Sequence, residues 1–231
     1  MIFKILANYG PLLLAAMGQT LLLALWSLFF ACLIGLFVGI LSVLKSRVCN
    51  IIATIFVDII RGVPMIVLAF FVYFGVPMLM NDNLNWAAMT GSKFTFTALQ
   101  AGIICLSLNC GAYMAEIVRG GLNSVPKSQF EAAQSQGFGF FQSMRLIILP
   151  QTFRKIIPAL FGQCTTVVKD SSYLAGINVA EFMYCSKVIM ASTTSLSQIL
   201  LVYGFVFLLY FALNFSISLA VRSYQRKLVA A

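Results

Sequence analysis

GQTLLLALWSLFFACLIGLFVGILSVL, residues Gly18–Leu44, carries no charged residue and no proline. A helix needs about 20 apolar residues to cross the hydrocarbon of a bilayer. A membrane β-strand would alternate apolar and polar positions over about ten residues. This stretch is apolar on every side and far longer, so inside a bilayer it satisfies its backbone as a helix. The whole chain agrees: of 231 residues, 61% are hydrophobic and only 9% charged, and the mean hydropathy is +0.98. A soluble core of this size has no use for such a balance. The expected class is an all-α integral membrane protein.

Working outward, the charge-free windows give about five transmembrane helices. The first extends from Ile5 to Leu44, about twice one crossing, so an interfacial start is expected ahead of a span near Gly18–Leu44. It is also too long for the apolar region of a signal peptide, and the span is expected to be retained. A second window is Gly62–Asn81, extendable back through Ile51–Ile60, and a third is Phe94–Ala115. A fourth begins at Ile156 and is interrupted by Lys169-Asp170. The last, Val188–Val221, leaves Ser192–Ser197 as a loop ahead of its helix. No internal repeat or linker divides the chain, so residues 1–231 read as one domain with a polar loop at about 120–150.

The net charge of +9 invites a nucleic-acid reading, but the cations lie between apolar runs and are not pooled in one patch. That is the positive-inside pattern. A cytoplasmic C-terminus collects Lys45, Arg47, Arg119, Lys127, Arg145, Arg154, Lys155, Arg222, Arg226 and Lys227 on one side. Lys4, Lys93, Lys187 and, depending on its depth, Lys169 remain for the other. Five spans then put the N-terminus outside. Cys32, Cys49, Cys105, Cys110, Cys164 and Cys185 show no C-x-x-C spacing and there is no histidine, so no metal or other cofactor is expected. Gly35-x-x-x-Gly39 permits close helix approach, read first as packing within the subunit and second as a dimer seam.

The polar loop has a pattern of its own. Glu131-Ala132-Ala133-Gln134-Ser135-Gln136-Gly137 is followed, nine residues later, by Ile147-Ile148-Leu149-Pro150. Ser128 with Glu131 reads as a capping box, and Gly137 as the left-handed stop of a two-turn helix. A second short helix is expected from Gly139, ending before Pro150. Phe130, Phe138, Phe140, Phe141 and Met144 load this loop with apolar surface, for folding back on the subunit, for docking on a partner, or both.

The spacing Glu-Ala-Ala, three residues, Gly, nine residues, Ile-x-Leu-Pro is that of the EAA motif, and on it the chain resembles the permease subunit of a bacterial ABC importer. Arg61-Gly62-Val63-Pro64 with Phe70–Pro77, Gly111–Glu116 with Arg119-Gly120, and Lys169-Asp170-Ser171-Ser172 are similar to segments of the polar amino-acid permeases for histidine, glutamine and arginine. The likeness runs from about Gln19 to the end. It departs at Leu68, where those proteins often carry glutamine. The resemblance implies a type I importer fold in the bacterial inner membrane. It also implies a second permease subunit, alike or identical, an ATP-binding subunit and an extracytoplasmic amino-acid-binding protein. By the same resemblance, Glu131, Ala132, Ala133 and Gly137 form the helix that couples to the ATPase. The chain itself lacks a phosphate loop, because Gly39–Ser46 has Leu44 where the second glycine belongs.

Candidate substrate contacts follow from charge inside the membrane, which costs about 2.5–3.5 kcal/mol at the bilayer centre and therefore faces a cavity or a partner. If the fourth span starts near Ile156, Asp170 lies about 21 Å along it at 1.5 Å per residue. Its carboxylate suits an ammonium group, with Ser171 and Ser172 donating to a carboxylate. The alternative is an internal pair of Lys169 with Asp170 or Glu116. Asn109, Tyr113 and Gln163 complete the wall candidates. Asp58 with Arg61 and Glu116 with Arg119, each three residues apart, read as structural ion pairs. Two rival classes fit less well. A redox membrane anchor lacks the ligands it needs here, and a secondary transporter should show inverted repeats and no coupling loop.

Overall fold

The computed structural model describes residues 2–44, 46–84, 86–192 and 195–230, with the side chains of 2–8 and 226–230 left aside. Lys45, Thr193 and Thr194, and the side chains of Lys4, Arg226 and Lys227, therefore lie outside the described residues. The elements in order are α1 (Ile2–Leu41), α2 (Arg47–Gly62), α3 (Met65–Asp82), α4 (Trp86–Thr90), α5 (Ala98–Asn123), α6 (Lys127–Ser135), α7 (Phe140–Ile177), α8 (Phe182–Ala191) and α9 (Leu196–Ala230). Among the described residues, four helices are long and apolar enough to span a membrane: Tyr9–Leu41, Met65–Asp82, Ala98–Asn123 and Leu196–Gln225. The pair α7 and α8, bent by 48°, supplies a fifth. The expected all-α, about-five-span architecture is the observed one.

Boundaries moved where local chemistry overrode hydropathy. No break precedes Gly18, because α1 runs unbroken through Gly10 and Pro11. The second window does not extend back continuously. Pro64 disfavours helical backbone in the residue before it, and Val63 is extended at φ −98, ψ 132, which parts α2 from α3. The third helix begins at a capping box in which Thr97 Oγ1 accepts from the Gln100 N–H and Gln100 Oε1 accepts from the Thr97 N–H. It continues to Asn123 because Glu116 and Arg119 neutralise one another on its surface. α8 ends at Ala191 and α9 begins at Leu196, so Ser197 is already helical.

The capping box expected at Ser128 does not form. Pro126, extended at ψ 139, is the N-cap, the Gln129 N–H bonds its carbonyl, and Ser128 lies inside the first turn. Nor does the chain stop before Pro150. The stretch Met144–Ile148 takes π-helical hydrogen bonding, the Leu149 N–H reaching Met144 O, and this wider turn carries α7 past the proline.

The core is centred on α5. Leu23, Ala24 and Ala31 of α1, Leu68, Ala69 and Val72 of α3, and Val167, Val168 and Leu174 of α7 pack around Ala101, Cys105, Leu106 and Cys110. The α1–α5 approach is close enough that a Cβ on Gly35 would sit 2.5 Å from that of Met114, and one on Gly39 2.6 Å from that of Val118. Gly35-x-x-x-Gly39 is thus the internal seam, as its first reading had it. On α5, a Cβ at Gly121 would overlap Ile156 of α7. Glu181, which the sequence reading passed over, is fully buried. It caps α8 by accepting from the Tyr184 N–H at 2.7 Å and takes the Tyr210 hydroxyl of α9 at 3.3 Å. Thr20 of α1 accepts from the neighbouring Phe182 N–H at 3.0 Å.

Gly39→Ala is expected to destabilise the detergent-solubilised protein by about 1–3 kcal/mol through overpacking, whereas Gly18→Ala, with nothing within 4 Å of its Cβ position, should not. Thermal unfolding of the two variants side by side checks this, and equal midpoints would refute the seam.

Candidate functional site

The break between α2 and α3 meets the middle of α5 and α7 at a cavity of about 580 Å³, lined by Arg61–Met65, Asn109, Tyr113, Gln163, Thr166 and Asp170. Each side chain arrives by helical spacing. Asn109 and Tyr113 are four apart on α5, while Gln163, Thr166 and Asp170 follow at three and four on α7, so each set shares a face. Asn109 is 11 residues into α5, roughly 16 Å from its start at 1.5 Å per residue, close to the middle of a ~30 Å hydrocarbon core. Asp170 is level with it: Asn109 Nδ2 donates to Asp170 Oδ2 at 3.4 Å. Gln163 Oε1 is 3.8 Å from the Cys110 sulfur.

Arg61, also in the lining, sits at the end of α2 with its guanidinium 4.9 Å from the Tyr113 ring centroid. The pair expected with Asp58 is replaced by one across helices. Arg61 Nη1 is 3.9 Å from Glu116 Oε2, the same carboxylate that holds Arg119 at 2.7 Å and 3.1 Å. The Glu116–Arg119 pair stands as read, and Glu116 faces these cations from outside the cavity lining. Arg61 and Asp170 thus line one cavity together with the amides of Asn109 and Gln163 and the hydroxyls of Tyr113 and Thr166.

Asn109, Tyr113, Gln163 and Asp170 are therefore brought together, and Ser171, Ser172 and Lys169 are not. Ser171 is fully buried with its hydroxyl donating to Val168 O, and Ser172 donates to Lys169 O. The helix tightens to 3₁₀ geometry from Ser171, which turns both serines away from Asp170 and towards their own backbone. No ion pair within 4 Å joins Lys169 to Asp170 or Glu116 among the described residues. Arg61 and Thr166 were missed as lining. Thr166 was detectable as the middle member of the Gln163–Asp170 stripe. Arg61 was hidden because its partner lies on another helix.

The loop at the other end of α5 folds back on the subunit. Gly137, at φ +81, closes α6 with the Phe138 N–H on Ala133 O at 3.1 Å and its own N–H on Gln134 O at 2.9 Å. The left-handed stop anticipated at Gly137 thus forms, and its hydrogen bonds are those of a Schellman turn. Phe130 packs on Phe140 at 5.8 Å, and with Met144 and Ile148 they line a groove against Leu122 and Val125. Lys155 Nζ holds the last turn of α5 through Ser124 O at 2.9 Å. Ala133 is buried within the subunit, while Glu131, Ala132 and Phe141, the last 85% exposed, face outward. The fold-back reading holds for Phe130, Phe140 and Met144, and Phe141 stays on the surface.

Residues 31–229 match the family model described as binding-protein-dependent transport system inner membrane component. The chain belongs to that family. It is a permease subunit of an ABC importer. Among its relatives, the probable amino-acid ABC transporter permease protein YckA of Bacillus subtilis (strain 168) is 36% identical over 186 residues, covering 80% of this chain and 76% of its own. The glutamine transport system permease protein GlnP of Escherichia coli (strain K12) is 30% identical over 218 residues, 94% of this chain and 93% of that one. The solved structure of an amino acid ABC transporter with histidines superposes with a TM-score of 0.81 at 26% identity over 97% and 98% of the two chains. The inward-facing MetNI methionine ABC transporter, at 22% identity and a TM-score of 0.74, shares the fold.

Gly137→Ala forces a side chain into left-handed backbone, a strain of about 1–2 kcal/mol. The permease should still insert, but trypsin should cut faster at Lys127 and Arg145. Unchanged cleavage would show that the turn does not hold this loop.

Proposed function

We propose that this permease conducts a polar amino acid inward, powered by ATP hydrolysis on a separate ATP-binding subunit. The observation that carries the reading is a mid-membrane cavity whose lining includes both Asp170 and Arg61. A zwitterion presents an ammonium and a carboxylate, and these two groups complement them. Asn109, Gln163 and Thr166 are placed for a polar side chain, and the cavity is within the ~300–1,000 Å³ of small-molecule sites. The relatives named for amino-acid and glutamine transport support the substrate class. Lys169, Glu116, Ser171 and Ser172, candidates by sequence, act in this reading by shaping α7 and by holding Arg61.

The remaining parts follow the same logic. An extracytoplasmic binding protein delivers the amino acid, a second permease subunit completes the pathway, and the C-terminus and the α6 loop are cytoplasmic, where the positive charges gather. Exposed Glu131, Ala132 and Phe141 meet the ATP-binding subunit, and Ala133 and Gly137 set the angle of that contact. Closure of the ATPases pulls α6, and α6 moves α5 and α7 through the Phe130–Phe140 packing and the Lys155–Ser124 bond. The spans then re-open toward the other side.

Asp170→Asn, nearly isosteric, should lower uptake of the preferred amino acid by at least tenfold in proteoliposomes containing the whole transporter, with basal ATP hydrolysis retained. Wild-type uptake would exclude Asp170 as a ligand. A bulky Gly137→Val should remove substrate stimulation of ATP hydrolysis from an otherwise assembled complex. Normal stimulation there would dismiss the role given to the loop.

A further inference from the structure

The break at Val63-Pro64 ends α2 at the polar cavity, and the 16 residues of this helix divide into three faces. Ala53 and Val57 are buried against Val38 of α1 and Ala115 of α5. Val48, Ile51, Ile52, Ile55 and Ile59 are exposed and purely apolar, a face suited to lipid tails. Arg47, Asn50, Thr54, Asp58 and Arg61 follow one another at steps of three and four, so they form a third stripe. Every residue of that stripe is polar, and every one is exposed.

The stripe starts in the cavity, which Arg61 lines. At 1.5 Å per residue, Asp58 lies about 5 Å, Thr54 about 10 Å and Arg47 about 21 Å along the helix from Arg61. Half a hydrocarbon core is about 15 Å, so Asp58 and Thr54 are still at membrane depth and Arg47 is beyond it. An ionised carboxylate at the depth of Asp58 faces water or a partner, and no ion pair within 4 Å involves it among the described residues. Beside the stripe runs a matching face of α5, Tyr113, Glu116, Arg119 and Asn123, again at steps of three and four. Arg61 Nη1 reaches Glu116 Oε2 at 3.9 Å, and the Asp58 carboxylate acts on Arg119 at longer range. The two polar faces therefore lie side by side, from the cavity to the end of the bundle where the α6 loop begins.

We propose that the polar stripe of α2, with this face of α5, is the wall of a water-filled route by which the amino acid leaves the cavity for the cytoplasm. The inference rests on the amino-acid reading above and adds the path that the substrate follows. The strip carries charges of both signs just below the cavity, Asp58 and Arg61 on α2 and Glu116 and Arg119 on α5. A zwitterion that leaves Asp170 and Arg61 thus meets further groups complementary to its ammonium and its carboxylate, with no dry gap to cross. Beyond them the stripe is neutral: Thr54 Oγ1 donates to Asn50 Oδ1 at 3.4 Å. Such groups replace water around the substrate yet hold it weakly, and a path must do both to conduct.

The test is labelling of the whole transporter in nanodiscs by a water-soluble methanethiosulfonate that carries a quaternary ammonium group. Thr54→Cys reports on the stripe and Ile55→Cys on the apolar face one residue away. Asn50→Cys and Ile52→Cys repeat the comparison nearer the interface, should Thr54→Cys fail to assemble. The unmodified chain, which keeps its six cysteines, gives the background. Thr54→Cys is expected to react at least tenfold faster than Ile55→Cys. After transfer to proteoliposomes, the labelled Thr54→Cys transporter should take up amino acid at least tenfold more slowly than the same variant unlabelled. Equal labelling rates for the two variants would show a dry stripe and overturn the route. Fast labelling with uptake unchanged would show a wetted face off the path, and would overturn it as well. Either result leaves the amino-acid reading standing. If the unmodified complex takes up none of the common amino acids, that reading itself fails and the route falls with it.

Discussion

The distance between α1 and α5 governs the rest of this subunit. Gly35 and Gly39 on one helix and Gly111 on the other bring the two backbones together until added Cβ atoms would collide with Met114, Val118 and Ile34. In a bilayer, where lipid tails are as apolar as leucine, close packing of this kind is a main source of helix association. With α5 fixed against α1, its remaining faces are free to take α3 and α7. The contact at Gly121 and Ile156 then sets the height at which α7 enters. Asn109 and Asp170 meet at mid-membrane because those two seams place them there.

Function is concentrated where the helices are irregular. Val63-Pro64 ends α2, and the 3₁₀ turn Ser171–Ile177 ends the regular part of α7. The first lines the polar cavity, and the second packs into the core through Leu174 and Ile177. Irregular backbone is tolerated at membrane depth when protein or water covers it. Arg61, in the last turn of α2 before the break, turns to Glu116 on α5 although Asp58 lies three residues back on its own helix. The Ser171 and Ser172 hydroxyls are consumed in steadying the turn, which leaves Asp170 as the carboxylate facing the cavity.

Much of this was legible from residue order. The spans followed from apolar runs, the Schellman turn from Gly137, and the internal seam from Gly35-x-x-x-Gly39. Asn109, Tyr113, Gln163 and Asp170 were nominated one by one and do converge. The errors share a cause. Ser128 was given a cap that Pro126 already provided, Pro150 was expected to stop a helix that a π-turn carries through, and Arg61 was paired along its helix when its partner is across the bundle. Rules of spacing describe one helix at a time, and each of these outcomes depended on a neighbouring turn or a neighbouring helix.

The sequence by itself determined that the chain lies in a membrane as helices, because nothing else satisfies so apolar a backbone. It also determined where the polar loop lies, because the EAA spacing is local. Only the tertiary structure decided which intramembrane polar groups share a cavity and which are spent on the fold. Glu181, charged in its ordinary state and buried at the meeting of α8 and α9, and Asp170, lining the cavity, are the same kind of residue in similar apolar surroundings along the chain. The difference lies in the partners that packing brings within hydrogen-bond reach, and those come from helices distant in sequence.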